Sequence, residues 1–233
     1  MSELQIISAT VCPYAQRTRM VLHEKELDFE VVEIDLKNKP DWFNDVSPYS
    51  KVPVLRHDGR TIYESAVINE YLDEVFQSPP MMPDDAAGRA LARIWIEYCN
   101  SQFCSLFYKV LLSQDAVEQK ELAEKLIGVL HFIENEGLQK LQGDGDYWMG
   151  DAPGLVDFTF FPFFERFPAL THYRGISMPE ECQRLINWIE VMSKRSSAVD
   201  TGNPAPFYIK NYSRYADGSA NGVTAREMKS RLA

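Results

Sequence analysis

Leu4-Gln5-Ile6-Ile7-Ser8-Ala9-Thr10-Val11-Cys12-Pro13-Tyr14-Ala15-Gln16-Arg17-Thr18-Arg19-Met20-Val21-Leu22 decides the fold of this 233-residue chain. The apolar run Leu4–Ala9 reads as a strand, and the stretch from Pro13 to about Glu26 as a helix. Pro13 suits the first helical position, where its missing N–H leaves no donor unpaired. Cys12 therefore falls at the turn from strand into helix. Free backbone N–H groups and the positive end of the helix dipole point there, and both lower a cysteine pKa from about 8.5 toward 7. Position 15 is alanine, so no second thiol completes a Cys-x-x-Cys pair. The implied chemistry is one thiolate working with an external thiol. Free cysteines are also commonly buried and inert, and Cys-Pro-Tyr alone leaves both readings open.

Outward from this stretch the first third of the chain alternates strand and helix. Phe29–Ile34 is rich in β-formers, Pro40-Asp41-Trp42-Phe43 begins a short helix, and Val52–Leu55 and Thr61–Tyr63 flank a turn at Asp58-Gly59. A helix follows from Ser65, with Val67, Ile68, Tyr71, Leu72 and Val75 on one face. The order βαβαββα predicts a small mixed sheet with helices packed on it. Ser78-Pro79-Pro80-Met81-Met82-Pro83 reads as a linker, since three prolines cannot continue a helix, and Asp84 or Asp85 caps the next one. Beyond it the periodicity is helical: Leu91, Ile94, Trp95 and Tyr98; Leu122, Leu126, Val129, Leu130 and Ile133, ending near Gly137; and Leu185, Trp188, Ile189 and Met192. Phe158–Phe167 is apolar enough for a bundle centre, with a kink expected at Pro162. The expected organisation is 1–77 α/β, 78–84 linker, 85–199 all-α, and 200–233 an extension with a short terminal helix near Thr224–Arg231.

Composition narrows the function. A formal net charge of −10 argues against an extended nucleic-acid footprint, though not against a local basic pocket for a small anion. No apolar stretch approaches the roughly 20 residues that span a bilayer, and Met1-Ser2-Glu3-Leu4 lacks the pattern of a signal peptide. Four scattered cysteines fit a reducing cytoplasm. Cys99 and Cys104, five apart on an α-helix, point about 140° away from each other, and no His or Cys pair has ligand spacing. Neither a metal nor a nucleotide is expected.

Residues elsewhere in the first domain are expected to converge on Cys12. Pro53 at the edge of a strand suggests a cis Val52–Pro53 bond, which would leave the Val52 backbone free to pair with an extended peptide. Glu64-Ser65 opens a helix, so Ser65 and the helix N–H groups suit a carboxylate and Glu64 suits an ammonium. The same pair also reads as simple capping.

These segments, with Leu36-Lys37-Asn38-Lys39-Pro40-Asp41-Trp42-Phe43, Tyr63-Glu64-Ser65-Ala66, Glu70–Glu74 and Pro162-Phe163-Phe164-Glu165-Arg166, resemble the cysteine-type glutathione transferases. The omega class is nearest, with the plant lambda class and dehydroascorbate reductases beside it. The resemblance implies a thioredoxin-like domain followed by an all-helical one, with glutathione as co-substrate. It implies that Cys12 forms a mixed disulfide with glutathione, and that Val52, beside Pro53, pairs with the cysteinyl unit. Glu64 and Ser65 would hold the γ-glutamyl end, and Lys39, with Leu36 beside it, the glycyl carboxylate. Tyr14 would lie at the glutathione site, and Pro13, Phe163 and Arg166 would line the acceptor pocket. Taken alone, Lys39 reads as a surface lysine and Phe163 as core. Gln16 stands where the omega class often has an acid, and Gly154-Leu155-Val156-Asp157 replaces a Ser/Thr-x-x-Asp capping box. The implied activities are thiol transfer from glutathionyl adducts and dehydroascorbate reduction, by a homodimer. The alternatives are a non-catalytic interaction protein of the same fold and a reductase of quinone or phenacyl adducts of glutathione.

Overall fold

The computed structural model describes residues 4–232; the reading of Met1–Glu3 and the last residue of the 200–233 extension lie outside them. The first part runs β1 (Leu4–Ser8), α1 (Pro13–Glu24), β2 (Glu30–Glu33), α2 (Phe43–Val46), β3 (Val54–His57), β4 (Arg60–Tyr63) and α3 (Ser65–Val75). The sheet order is β2-β1-β3-β4. β1 pairs parallel with β2 and antiparallel with β3, so the sheet is mixed as the element order predicts. Asp58 and Gly59 both take positive φ, 48° and 76°, the backbone that a two-residue hairpin turn demands. β1 is central and its Ile6 and Ile7 are fully buried. Ile6 faces the core under α1 and α3, while Ile7 joins Val52, Val54 and Phe43 on the other side.

Lys25 fastens this part to the linker. Its side chain is fully buried and donates to Asp73 at 2.8 Å and to the carbonyls of Phe76 and Pro79 at 2.6 and 2.7 Å. Asp73 also accepts from Met81 N at 2.9 Å. One buried cation thus closes the end of α3 and fixes the Pro-rich segment that follows.

The remainder is helical. It comprises α4 (Ala86–Tyr98), α5 (Ser105–Leu112), α6 (Ala116–Phe132), α7 (Gln139–Leu141), α8 (Leu155–Glu165), α9 (Phe167–Arg174), α10 (Gln183–Ser193), α11 (Ser196–Thr201), α12 (Ala205–Ala216) and α13 (Val223–Ser230). Asp85 caps α4 by accepting from Gly88 N. Two π-helical stretches, Cys99–Cys104 and Ile133–Leu138, run in line with α4–α5 and α6–α7. The expected stop at Gly137 is therefore corrected: the helix passes through it. Gly137 is a packing residue, because a Cβ there would meet Trp148 at 3.0 Å and Trp95 at 3.1 Å.

The reading of α4 is also corrected. Ala92, Trp95, Ile96 and Cys99 form its buried stripe, while Leu91 and Ile94 are exposed. Both stripes have the i, i+3, i+4 spacing, so periodicity alone does not tell the core side from the outer one. Helix α8 continues through Pro162. Asp157 of α8 is buried and accepts from Gly154 N (2.8 Å), Trp148 N (2.9 Å) and Trp188 Nε1 (2.6 Å). It supplies the carboxylate half of a capping box whose other half Gly154 cannot provide. The 200–233 stretch holds two helices, not one, with Tyr208 and Tyr212 of α12 buried.

Candidate active site

Cys12 is the N-cap of α1, with φ −84° and ψ 119°. Its N–H closes a tight turn on Ala9 O (2.9 Å), and its carbonyl accepts from Gln16 N (3.1 Å). The turn carries the chain from the end of β1 to the head of α1, so the thiol sits over the first helical N–H groups. The thiol is half-buried, 3.8 Å from Val52 O. Burial pushes its pKa up from the ordinary thiol value, against the pull of the Ala15 and Tyr14 N–H groups and of the Arg166 and Arg19 guanidinium charges. The expected lowering is thus overturned: the helix terminus acts in the foreseen direction, but the loss of hydration outweighs it.

Cys12 opens onto a cleft of about 440 Å³. Tyr14, Leu36, Lys39, Val52, Pro53, Glu64 and Ser65 all line it. The Val52–Pro53 bond is cis. Glu64 takes φ 71°, ψ 115° at the head of α3, a left-handed conformation that a non-glycine residue rarely adopts. It turns the Glu64 side chain out while Ser65 stays buried at the first helical position. Lys39 donates to Ser50 O at 2.7 Å and to Ser50 Oγ at 3.1 Å. Burial, and then the charge of Arg226, press its pKa down. Lys39, Lys51 and Arg231 line the cleft together with Glu64, Glu97 and Glu227, so cations and carboxylates are mixed around it.

Pro13, Phe163 and Arg166 are corrected: they are buried and do not line the cleft. Phe163 packs edge-on to Tyr14, with ring centroids 5.3 Å apart, and against Phe107 at 5.6 Å. Arg166 donates to Pro162 O (2.7 Å) and to Gln16 Oε1, and lies 4.4 Å from the Tyr208 ring. It reaches Cys12 through its charge rather than through contact with a ligand. Gln16 is buried between Arg166 and Glu165, to which it donates at 2.8 Å, so the departure from an acid at this position serves the α1–α8 contact.

The opposite wall comes from the π-helical stretch and from the 200–233 extension, where Tyr215 is read from sequence only as an anchor and the other lining residues are not singled out. Asn100 follows Cys99 on the π-helical stretch, and Tyr215 lies on α12. Helix α13 contributes Val223, Thr224, Glu227 and Met228, and Glu227 pairs with Lys51 at 2.8 Å. The terminal helix was legible, and the final stretch reads as able to shape the acceptor pocket; its pairing with Lys51 was not foreseen. Arg17 was also missed. It is buried on α1, donates to Thr159 O (2.8 Å) and Asn100 Oδ1 (2.7 Å), and approaches Ser65 Oγ at 3.4 Å. An arginine among Ala15, Met20 and Val21 was the available signal, since a buried charge needs partners. Among the described residues no three His, Cys, Asp or Glu converge as a metal site, and no helix is long and apolar enough to cross a membrane.

The four-stranded mixed sheet and the helical part match known proteins. Sequence models of the glutathione S-transferase N-terminal and C-terminal domains match residues 11–75 and 126–191. Glutathione S-transferase U19 of Arabidopsis thaliana is 33% identical over 80% of this chain and 83% of its own. Glutathione S-transferase omega-1 of Sus scrofa is 33% identical over 82% and 77%. The tau class glutathione S-transferase from mango, Mangifera indica, superposes with a TM-score of 0.86 at 25% identity, covering 94% of this chain and 99% of that one. Similarity thus extends to omega and plant enzymes alike, and on the strength of these matches the chain belongs to the glutathione S-transferase family.

Proposed function

We propose that this glutathione transferase is of the cysteine type and omega-like, acting through a Cys12–glutathione mixed disulfide. The observation that carries the reading is that a thiol, and not a hydroxyl, stands at the head of α1 over the cleft. Tyr14, the other group there able to serve a glutathione thiolate, stands two residues beyond the head of α1, with its ring packed against Phe163 and the Arg17 guanidinium. In this reading residues 1–77 bind glutathione: Val52 beside Pro53 faces the cysteinyl unit, Glu64 and Ser65 the γ-glutamyl end, and Lys39 with Leu36 the glycyl carboxylate. The helices of 85–199 and the 200–233 extension face the acceptor.

Cys12 sulfur attacks the glutathione sulfur of a glutathionylated acceptor, and the acceptor thiolate leaves and takes a proton. A second glutathione thiolate attacks Cys12–S–S–glutathione, releasing glutathione disulfide and restoring Cys12. A pKa held high is compatible with this cycle, because cysteine is strongly nucleophilic even at a few per cent thiolate. Dehydroascorbate would be reduced by the same thiol cycle. Tyr215, Val223 and Met228 give the acceptor side an aromatic and apolar face, which favours aromatic glutathionyl adducts as a second acceptor class. A cytoplasmic homodimer belongs to the same proposal. Val67 on α3 and Leu91 and Ile94 on α4 are exposed, and Glu70 and Arg93 pair between these helices, so one apolar face is available to a second copy.

The test compares wild type with Cys12→Ser on four substrates in parallel: a glutathionylated peptide, dehydroascorbate, a phenacyl-glutathione and a chlorinated aromatic electrophile. The variant is expected to fall to background on the first three. Full activity of Cys12→Ser on the glutathionylated peptide would refute the mechanism.

A further inference from the structure

Cys99 and Cys104 do not diverge as α-helical spacing requires. They are the two ends of the π-helical stretch, whose i→i+5 hydrogen bonding brings residue i+5 back over residue i. Their sulfurs are 3.6 Å apart and both are fully buried. Arg17 Nη2 donates to both, at 3.4 Å to Cys99 and 3.2 Å to Cys104. The guanidinium also lies 4.8 Å from the Tyr14 ring and 5.2 Å from that of Phe163.

Two thiols and an arginine are an unusual group to bury. The glutathione cycle proposed above uses none of them, and π-helical turns often mark functional positions. The two sulfurs also differ. Burial works against the Cys104 thiolate, but the hydrogen bond from Cys99 and the charge of Arg17 outweigh it and hold Cys104 below the ordinary thiol value. Burial, and then the Cys104 neighbour, hold Cys99 well above it. Arg17 Nη2 is also nearer Cys104 (3.2 Å) than Cys99 (3.4 Å), so the guanidinium favours a thiolate at Cys104. Tyr14 and Asn100, both half-buried, stand between the pair and the cleft and line its wall.

We propose that Cys99 and Cys104 form a second redox centre, a dithiol that a small hydroperoxide oxidises to an intramolecular disulfide one layer behind the glutathione cleft. Cys104 sulfur attacks the O–O bond of hydrogen peroxide, giving a sulfenic acid and a hydroxide that takes a proton to become water. Cys99 sulfur then attacks the sulfenic sulfur, forming the S–S bond. The second hydroxide leaves with the Cys99 proton as water. The pair loses two electrons and two protons, and the peroxide becomes two waters. Arg17 is the positioning residue: it faces both sulfurs with one nitrogen and Asn100 and Ser65, both on the cleft, with another.

The experiment uses the full-length Cys12→Ser protein without glutathione, so it stands whether or not the Cys12 cycle holds. Reduced protein is treated with hydrogen peroxide while folded, alkylated under denaturing conditions and digested with trypsin. Ile94–Lys109 carries both cysteines in one peptide. Two of the three remaining thiols are expected to vanish together, leaving Cys182. The peptide should be lighter by about 2 Da than its reduced, unalkylated form, and dithiothreitol should restore it. The proposal is overturned if both thiols stay alkylatable at peroxide levels that oxidise free cysteine. It is equally overturned if the peptide gains sulfinic acid without the disulfide, or closes only after the protein is unfolded in urea. A second variant, Cys12→Ser with Cys99→Ser, should halt at the sulfenic acid and take up dimedone at Cys104; no label there overturns the assignment of Cys104 as the attacking sulfur.

Discussion

Removing the Asp157 carboxylate tests what holds the helical part, and with it α1, in place. Asp157 is 1% exposed and accepts from three donors: Trp148 N and Trp188 Nε1, on fully buried residues, and Gly154 N, on a half-buried one. Asp157→Ala leaves all three unpaired, at about 1–3 kcal/mol each. Part of this is returned, because the alanine no longer buries a charge. Burial is the main cause of the raised Asp157 pKa, which marks that cost. A net loss of about 3–6 kcal/mol is expected, a large share of the roughly 5–15 kcal/mol that stabilises a domain. Asp157→Asn separates the contributions. Its oxygen keeps two of the three bonds, while its amide nitrogen meets a donor at Gly154, so about 1.5–3 kcal/mol should be lost. Urea titrations followed by tryptophan fluorescence read both, and for a chain of this size each kcal/mol moves Tm by about 2–4 °C. The consequence reaches the site, since α8 supplies the Thr159 carbonyl to Arg17 and the Glu165 carboxylate to Gln16. The reasoning fails if Asp157→Ala costs less than about 1 kcal/mol, or if the Asn and Ala variants lose equal stability.

Three further outcomes follow from other parts of the molecule. Because burial raises the Cys12 pKa, the protonated thiol persists to higher pH than in a free cysteine. Alkylation of Cys12 by iodoacetamide in the glutathione-free protein should therefore climb through a midpoint above about 8.5, and a plateau already reached near neutrality would contradict this. Lys25→Met strips Asp73 and two carbonyls of their buried partner, so a loss of about 3–5 kcal/mol is expected; an unchanged Tm would show the cation is not what fixes the linker. Gly137→Ala drives a methyl between Trp95 and Trp148, with an expected cost of about 1–3 kcal/mol, and calorimetry showing stabilisation would mean the indoles move aside freely.

The first part of the fold was legible because each of its signals is local. The short apolar run of β1, the Asp58-Gly59 turn and Pro13 at the head of α1 each specify backbone conformation within a few residues. That Cys12, Val52, Pro53, Glu64 and Ser65 line one cleft was legible for a related reason: they sit at element ends, where turn and cap residues mark the place in the sequence. What sequence did not disclose was which helix faces meet. Leu91 and Ile94 have the same spacing as Ala92, Trp95 and Ile96, and the choice between them was made by α8 and by the Trp148 region packed against one side only. Phe163 and Arg166 were read as pocket residues on resemblance, yet the packing of α8 on α1 buries both. Helix α12 was hidden by the Gly-, Asn- and Ser-rich stretches around it, although Tyr208 and Tyr212 are one helical turn apart.

The pair Cys99 and Cys104 shows how a correct rule gives a wrong placement when its premise changes. At 3.6 residues per turn, positions five apart lie on different faces, and nothing in Cys-Asn-Ser-Gln-Phe-Cys announces a wider turn. The wider turn serves several contacts at once. Asn100 reaches Arg17 while lining the cleft, Phe103 stacks on Phe164 with ring centroids 4.7 Å apart, and both sulfurs meet the guanidinium. With α-helical winding the two sulfurs would separate, and Arg17 would keep a partner at one of them at most. The buried arginine and the π-helical turn therefore account for each other, and the two thiols between them are positioned as a pair by the same contacts that set Asn100 on the wall of the active-site cleft.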